Sequence, residues 1–516
     1  MGLKHITIAS LATLGAVSAL GTNQKPLVDN AQPQPQISGD SSSARPLVNS
    51  EDLQATISTE ALLKRAKRLF KIARLSEDEY NHPTRVIGSE GHRGTLSYIH
   101  STLAALSDYY TLSTQEFPAV SGAVFEYRLL IDLALAESAH PMGLTPPTHH
   151  KQPVDGSLVL VSNDGCRASD YPSTVKGNIA LIQRGTCPFG TKSEHAGKAG
   201  AVAAVVFNYE DGPVGGTLGT PLDDHVATFG LSGTEAAPFV ARLKAGETVE
   251  ASAYMDAEVK TIQTSNIIAQ TRAGDPDNCV MLGGHSDSVS EGPGINDDGS
   301  GSLTLLEVAT QLTNFSVHNC VRFAWWAGEE EGLLGSDYYV DVLPAEENVK
   351  IRLFMDYDML ASPNFAYQVY DARNEVNPVG SQELRDLYVA WYVEHGLNYT
   401  FIPFDGRSDY DGFIKNGIPG GGIATGAEGI KTKEEVVLFG GEDGVPYDVC
   451  YHAICDTVNN LNLTAWELNT KLVAHSVATF ARSLEGFPER TLDDASIKAA
   501  GAYAKGAKYH GSKLFI

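Results

Sequence analysis

The chain has 516 residues, 42% of them hydrophobic and 20% charged, which is the balance of a soluble globular protein too long for one ordinary domain. Its formal charge of −25 excludes nucleic acid and anionic membrane as the main partners, because both demand a basic face. The acidity itself reads as an ordinary solubilising surface and says nothing about substrate.

Lys4 and His5 precede an apolar run from Ile6 to Leu20, with the small residues Val17-Ser18-Ala19 near its end. The run is short for a membrane span and predicts a secretory signal peptide over 1–19. No other stretch is apolar enough to span a bilayer, so secretion is expected, with a vacuole as the other destination. Residues 20–50, rich in Gln, Pro, Asn and Ser, read as a linker or propeptide. From residue 51 to 73 the apolar residues recur at helical spacing, and a second helix is expected over 95–106. Strands are expected over 109–117 and 126–135. Together 51–120 form the first part of the larger domain.

Between 121 and 260 short β-rich runs alternate with glycine-containing turns, and one helix over 191–199 feeds the apolar strand 202–207. This reads as an α+β insertion of ordinary domain size. After residue 264 strands and helices alternate as in a βαβ protein, giving an α/β domain over 261–490 with a mixed, mostly parallel central sheet flanked by helices. Expected strands are 279–284, 321–326 and 351–355, and expected helices are 299–312, 382–395 and 465–484. Such sheets bind ligands beyond the carboxyl ends of their strands. The lysine-containing tail 491–516 reads as a surface segment.

The chemistry-bearing motifs cluster at those ends. His285 closes one strand, and Asp287 lies two residues on, placed to accept the second N–H of a ligating imidazole. Asp297 and Asp298 precede a helix; one cap suffices there, so one of the two is expected to bridge metal ions. Glu329 and Glu330 follow the strand 321–326, pinned between Trp325-Trp326 and Gly332-Leu333-Leu334-Gly335. Their divergent side chains suit one ligand and one general base. Asp356 and Asp358 follow the strand 351–355, and spacing alone leaves either as a ligand. His452 lies between Cys450 and Cys455, where a disulfide would hold the imidazole, and Tyr451 beside it could donate to an oxyanion. One imidazole-rich, carboxylate-rich set of this kind has the composition of a two-metal hydrolytic site.

Six cysteines suit an oxidising compartment and permit fifteen pairings. The preferred set is Cys166–Cys187 within the insertion, Cys450–Cys455 at the site, and Cys279–Cys320 on neighbouring strands. Sequons at Asn314, Asn398 and Asn462 are candidate glycosylation sites.

These motifs together resemble the co-catalytic zinc aminopeptidases, a metallopeptidase family that includes fungal leucine aminopeptidases and vacuolar aminopeptidase Y. The resemblance runs from His285-x-Asp287 through Asn296-Asp297-Asp298-Gly299-Ser300-Gly301 to Trp325-Trp326-x-x-Glu329-Glu330. It continues at Asp358-Met359-x-x-Ser362-Pro363-Asn364, Gly406-Arg407-Ser408-Asp409 and Tyr451-His452-x-x-Cys455-Asp456-Thr457, with an echo at Arg85-Val86-Ile87-Gly88-Ser89. It implies a zinc exopeptidase fold carrying an inserted protease-associated domain. It further implies two Zn²⁺ ions, one on His285 and Asp358, the other on Glu330 and His452, with Asp297 bridging. Glu329 would be the general base and Tyr451 a stabiliser of the tetrahedral intermediate. Two Zn²⁺, three carboxylates and one bridging hydroxide would leave the cluster neutral, and that hydroxide would be the nucleophile. The expected substrates are peptides with a free, apolar N-terminus, and the expected state is a monomer. Ala424 stands where some bacterial relatives carry an aromatic residue, which implies a roomier pocket. The alternatives are a non-catalytic receptor-like binding protein and a glutaminyl cyclase.

Overall fold

The computed structural model describes residues 45–209 and 214–491. The expected signal peptide, the linker up to residue 44 and the tail beyond 491 lie outside them. In chain order the strands that matter are β1 (Tyr110–Ile131), β2 (Val154–Leu160), β3 (Ile179–Gln183), β4 (Ala203–Phe207), β5 (Thr228–Leu231), β6 (Glu250–Thr271), β7 (Asp275–His285), β8 (Asn319–Trp326), β9 (Ile351–Tyr357), β10 (Gln368–Tyr370), β11 (Thr400–Ile402) and β12 (Gly420–Ala424). The main helices are α1 (Thr59–Ala73), α2 (Glu90–Ala104), α3 (Phe189–Lys198), α4 (Gly233–Lys244), α5 (Gly299–Leu312), α6 (Leu334–Val342), α7 (Ser381–Glu394), α8 (Lys433–Phe439) and α9 (Leu463–Arg482).

One half of the sheet runs β11-β10-β12-β9-β7-β8-β6. Pairs β12–β9, β9–β7, β7–β8 and β10–β11 are parallel, whereas β10–β12 and β8–β6 are antiparallel. Every residue of β9 is buried, and so are all those of β8 after Asn319, because helices cover both faces of this sheet. Helix α5 is buried almost all round, and its start is fixed by Asp298, whose side chain accepts from Gly301 N at 2.7 Å.

The insertion forms the other half, with β2, β3, β4 and β5 parallel in that order and α3 and α4 beside them. It is joined to the larger sheet by a long antiparallel ribbon. Strands β1 and β6 pair from Tyr110↔Thr271 to Ile131↔Ala251, with one irregularity at Val124/Glu126. One end of β6 pairs with β8 and the other with β2, so the two halves share a continuous hydrogen-bonded strut.

Two expectations are corrected here. The strand expected over 109–117 and most of that expected over 126–135 are a single strand, β1, running through Pro118 and Gly122; Ala134–Leu135 turns back to pair with its end. Along this stretch β1 has β6 as its neighbour on one side only, so the missing Pro118 N–H disrupts no second ladder. The helix expected over 51–73 is two helices, Ser50–Ala55 and α1, because Ser58 is extended and caps α1 through Ala61 N.

Candidate metal centre and active site

The site lies beyond the carboxyl ends of β7, β8 and β9. Strand β7 ends on His285, the loop after β8 carries Glu329 and Glu330, and Asp358 immediately follows β9. Asp297 comes from the loop before α5, and the Asp297–Asp298 peptide is cis. His452 is the exception to the strand-end pattern, since it sits in a loop between α8 and α9, with a positive φ of 54°. Disulfide Cys450–Cys455 closes that loop, and the other two bonds join Cys166–Cys187 and Cys279–Cys320.

Asp297 stands between the two imidazoles. Its Oδ1 is 3.2 Å from His285 Nε2, and its Oδ2 is 3.2 Å from His452 Nε2. Glu330 Oε2 lies 3.0 Å from His452 Nε2, whereas Asp358 Oδ1 and Glu329 Oε2 lie 3.8 and 3.9 Å from His285 Nε2. Asp298, the alternative to Asp297, spends one oxygen on the amides of Gly301 and Met359 and serves as the cap.

Electrostatics follow from this crowding. Burial opposes charge on His285, but Glu329, Asp287, Asp297 and Asp358 together hold its pKa well above the usual value. Burial likewise opposes charge on His452, and Glu330 and Asp297 override it. Burial, with Asp297 and Asp356 nearby, pushes Asp358 to about 7. Glu329 is raised well above the carboxylate range by burial and by Glu330. Such a concentration of buried acceptors suits cations. Asp358 Oδ1 has no hydrogen-bond partner, and donor atoms of His285, Asp297 and Glu330 lie within 4.8 Å of one another. Imidazole nitrogen with carboxylate oxygen is a donor set for zinc.

Asp287 does more than its spacing suggested. His285 Nδ1 faces Asp287 Oδ1 at 3.8 Å, and the same carboxylate accepts from Gly328 N at 2.8 Å, with Glu329 N and Glu330 N at 3.4 and 3.3 Å. One buried side chain thus ties down the loop that presents the two glutamates and sets a carboxylate opposite the imidazole. Tyr451 stacks on His452 with ring centroids 3.8 Å apart, and Arg407 donates to its hydroxyl at 3.4 Å. Burial, then the charges of Asp297 and Glu330, keep that phenol protonated and able to donate.

Residues 266–477 match the family model described as Peptidase family M28, and residues 154–238 match the PA domain. Over 484 residues the chain is 49% identical to Aminopeptidase Y of Saccharomyces cerevisiae, covering 92% of this chain and 88% of that one. This chain belongs to peptidase family M28. It is also 43% identical to Leucine aminopeptidase 2 of Trichophyton equinum, over 86% of this chain and 89% of that one. Among solved structures, an aminopeptidase from Aneurinibacillus sp. strain AM-1 is similar with a TM-score of 0.68 at 25% identity, covering 86% of this chain and 98% of that one. A zinc aminopeptidase from Bacillus subtilis, at 21% identity over 84% of this chain and 97% of that one, shares the fold with a TM-score of 0.60.

In this M28 peptidase three residues that stand in the matched motifs without an assigned role support the site. Arg85 is fully buried and donates to the carbonyls of Ser286, Pro293, Gly294 and Asp297, which span the loop between His285 and Asp297. Asp456 accepts from Asn296 N at 2.9 Å and Asp297 N at 3.1 Å; burial and Asp448 push it up to about 8. Ser408 donates to Asp358 Oδ2 at 3.0 Å. Asp356, the alternative ligand, lies within β9 and accepts from Tyr410 N at 3.3 Å. Asp297, Glu329, Glu330 and Asp358 line a cavity of about 320 Å³, whose wall also includes Met359, Tyr370, Ile402, Ala424 and Tyr447. The sequon residues lie away from it: Asn314 and Asn398 are exposed, and Asn462 caps α9 by accepting from Ala465 N at 3.1 Å.

Proposed function

We propose that this M28 peptidase is a two-zinc aminopeptidase that releases apolar N-terminal residues from peptides. The observation that carries the reading is the division of the Asp297 carboxylate, one oxygen to each imidazole at 3.2 Å, with Glu329 alongside. The relatives' names support the exopeptidase reaction, and the apolar residues Met359, Ile402 and Ala424 in the cavity wall support the side-chain class.

His285 and Asp358 would hold one zinc, Glu330 and His452 the other, with Asp297 between them. Zinc there supplies Lewis-acid polarisation of the scissile carbonyl and lowers the pKa of a water. Glu329, 3.9 Å from His285, takes the proton from the attacking water and returns it to the leaving amine. The protonated Tyr451 hydroxyl donates to the oxygen that becomes negative as the tetrahedral carbon forms. Asp287 keeps His285 and the Glu329-Glu330 loop in register.

We further take 51–120 and 261–490 as the catalytic domain, 121–260 as the protease-associated insertion, and 1–19 as a secretory signal. Three disulfides among the described residues support synthesis in an oxidising compartment. Replacing Glu329 with Gln tests the mechanism. Zinc content should be unchanged, while release of nitroaniline from a leucyl nitroanilide should fall by about 10²–10⁴-fold. Near-normal turnover would remove Glu329 from the role of base.

A further inference from the structure

The wall of the cavity opposite β9 belongs to an excursion of the chain between Gly426 and Tyr447, and its attachment is unusual. Its two arms zip together: Lys431 N donates to Val445 O at 3.0 Å, Tyr447 N to Gly429 O at 2.9 Å, and Asp448 N to Ala427 O at 2.9 Å. Helix α8 sits between the arms and buries none of its residues; Val437 is 85% exposed. Its one apolar anchor is the half-buried Phe439, which meets the Tyr367 ring with centroids 6.1 Å apart, so polar ties do most of the holding.

Those ties converge on Asn364. Its Nδ2 donates to Glu442 O at 2.9 Å and to Pro446 O at 3.2 Å, its Oδ1 accepts from Glu442 N at 3.0 Å, and its own amide donates to Tyr447 O at 2.9 Å. The buried Lys431 returns the contact, donating to Asn364 O at 3.3 Å and Phe365 O at 2.6 Å. Tyr447 then lies against Gly426, whose φ of 94° and tight contact with the Tyr447 ring leave no room for a side chain. The Tyr447 hydroxyl donates to Glu435 of α8. Asn364 touches neither the metal ligands nor the cavity, yet it fixes the segment that carries Tyr447 into the cavity wall.

We propose that Asn364 is a positioning residue for substrate selection: it latches the 426–447 strap so that Tyr447 closes the pocket around a large apolar side chain. The inference rests on the aminopeptidase reading. A side chain long enough to reach Tyr447 gains from a fixed wall, whereas a methyl group does not. Loosening the latch therefore lowers discrimination between large and small N-terminal residues and leaves the chemistry at Glu329 intact.

The test compares leucyl and alanyl nitroanilides on Asn364→Ala, with Asn364→Asp as a milder variant that keeps the acceptor for Glu442 N and loses the donors. For Asn364→Ala, kcat/KM on the leucyl substrate should fall about 10-fold through KM, with kcat and the alanyl substrate changed less than about 2-fold. Asn364→Asp should fall between this variant and wild type. Val437→Asp, on the exposed face of α8, should leave the ratio of the two substrates unchanged. An unaltered leucyl-to-alanyl ratio in both Asn364 variants, or an equal loss on both substrates, overturns the proposal. Wild-type enzyme that releases neither residue overturns the aminopeptidase reading instead, so the two failures are separable.

Discussion

Arg85 offers the sharpest test of how the metal-binding loop is held. Its guanidinium is completely buried and donates to Pro293 O at 2.8 Å, to Ser286 O and Gly294 O at 2.5 Å each, and to Asp297 O at 3.4 Å. Arg85→Met keeps much of the volume and removes every donor. Three good bonds to a charged group at about 1.5 kcal/mol each, the low end of their range, come to roughly 4–5 kcal/mol. Water entering the loop returns part of this, so a loss of about 3–5 kcal/mol is expected. At about 2 °C per kcal/mol for a large domain, the melting temperature should drop by about 6–10 °C. The freed carbonyls lie between His285 and Asp297, so bound zinc should fall at temperatures where circular dichroism still reports a folded chain. Arg85→Lys, with three donors but no planar fork, should recover only part of both quantities. Melting and zinc content at wild-type values in Arg85→Met would refute this account of the loop.

Asp287→Asn removes the carboxylate that faces His285 Nδ1 and weakens the acceptor for three amides, so zinc affinity should fall about 10–100-fold in a chelator competition assay. Unchanged affinity would leave Asp287 without a positioning role. His475 is accompanied by Ser50 at 2.7 Å, and burial lowers its pKa from 6.5 to about 4. Because the folded pKa lies below the unfolded one, the stability that goes with the neutral form is fully present above about pH 6.5 and is lost as pH falls towards 4, by at most roughly 3.4 kcal/mol. His475→Gln should flatten the decline of melting temperature across that window, and an identical slope would contradict the assignment. Serine at both Cys450 and Cys455 should release the His452 loop and lower activity more than global stability, measured as kcat against melting temperature on the same preparation.

The parallel core was legible because its strands are continuous apolar runs, as strands covered on both faces must be, and their ends could be read as one ligand-binding edge. Where spacing left Asp297 and Asp298 open, local hydrogen bonding distinguishes them: Asp298 Oδ1 accepts from Gly301 N and Met359 N, while the two oxygens of Asp297 each face one imidazole. The unbroken strand β1 was hidden because Pro118 and Gly122 interrupt the apolar pattern, and nothing local shows that the strand is paired on one side only. The division of the helix at Ser58 was hidden because Leu53 and Ile57 continue the apolar spacing of α1. Arg85 and Asn364 left almost no trace beyond short motif matches. Their partners are backbone carbonyls and amides from distant segments, and a main-chain atom carries no residue-type signal.

The central claim is that Asp297 joins two cation sites into one centre. Counting zinc per chain by plasma mass spectrometry, on enzyme purified without chelator and equilibrated with the metal, tests it most directly. The account predicts two zinc ions per chain; a single ion at saturation, or none, would contradict it.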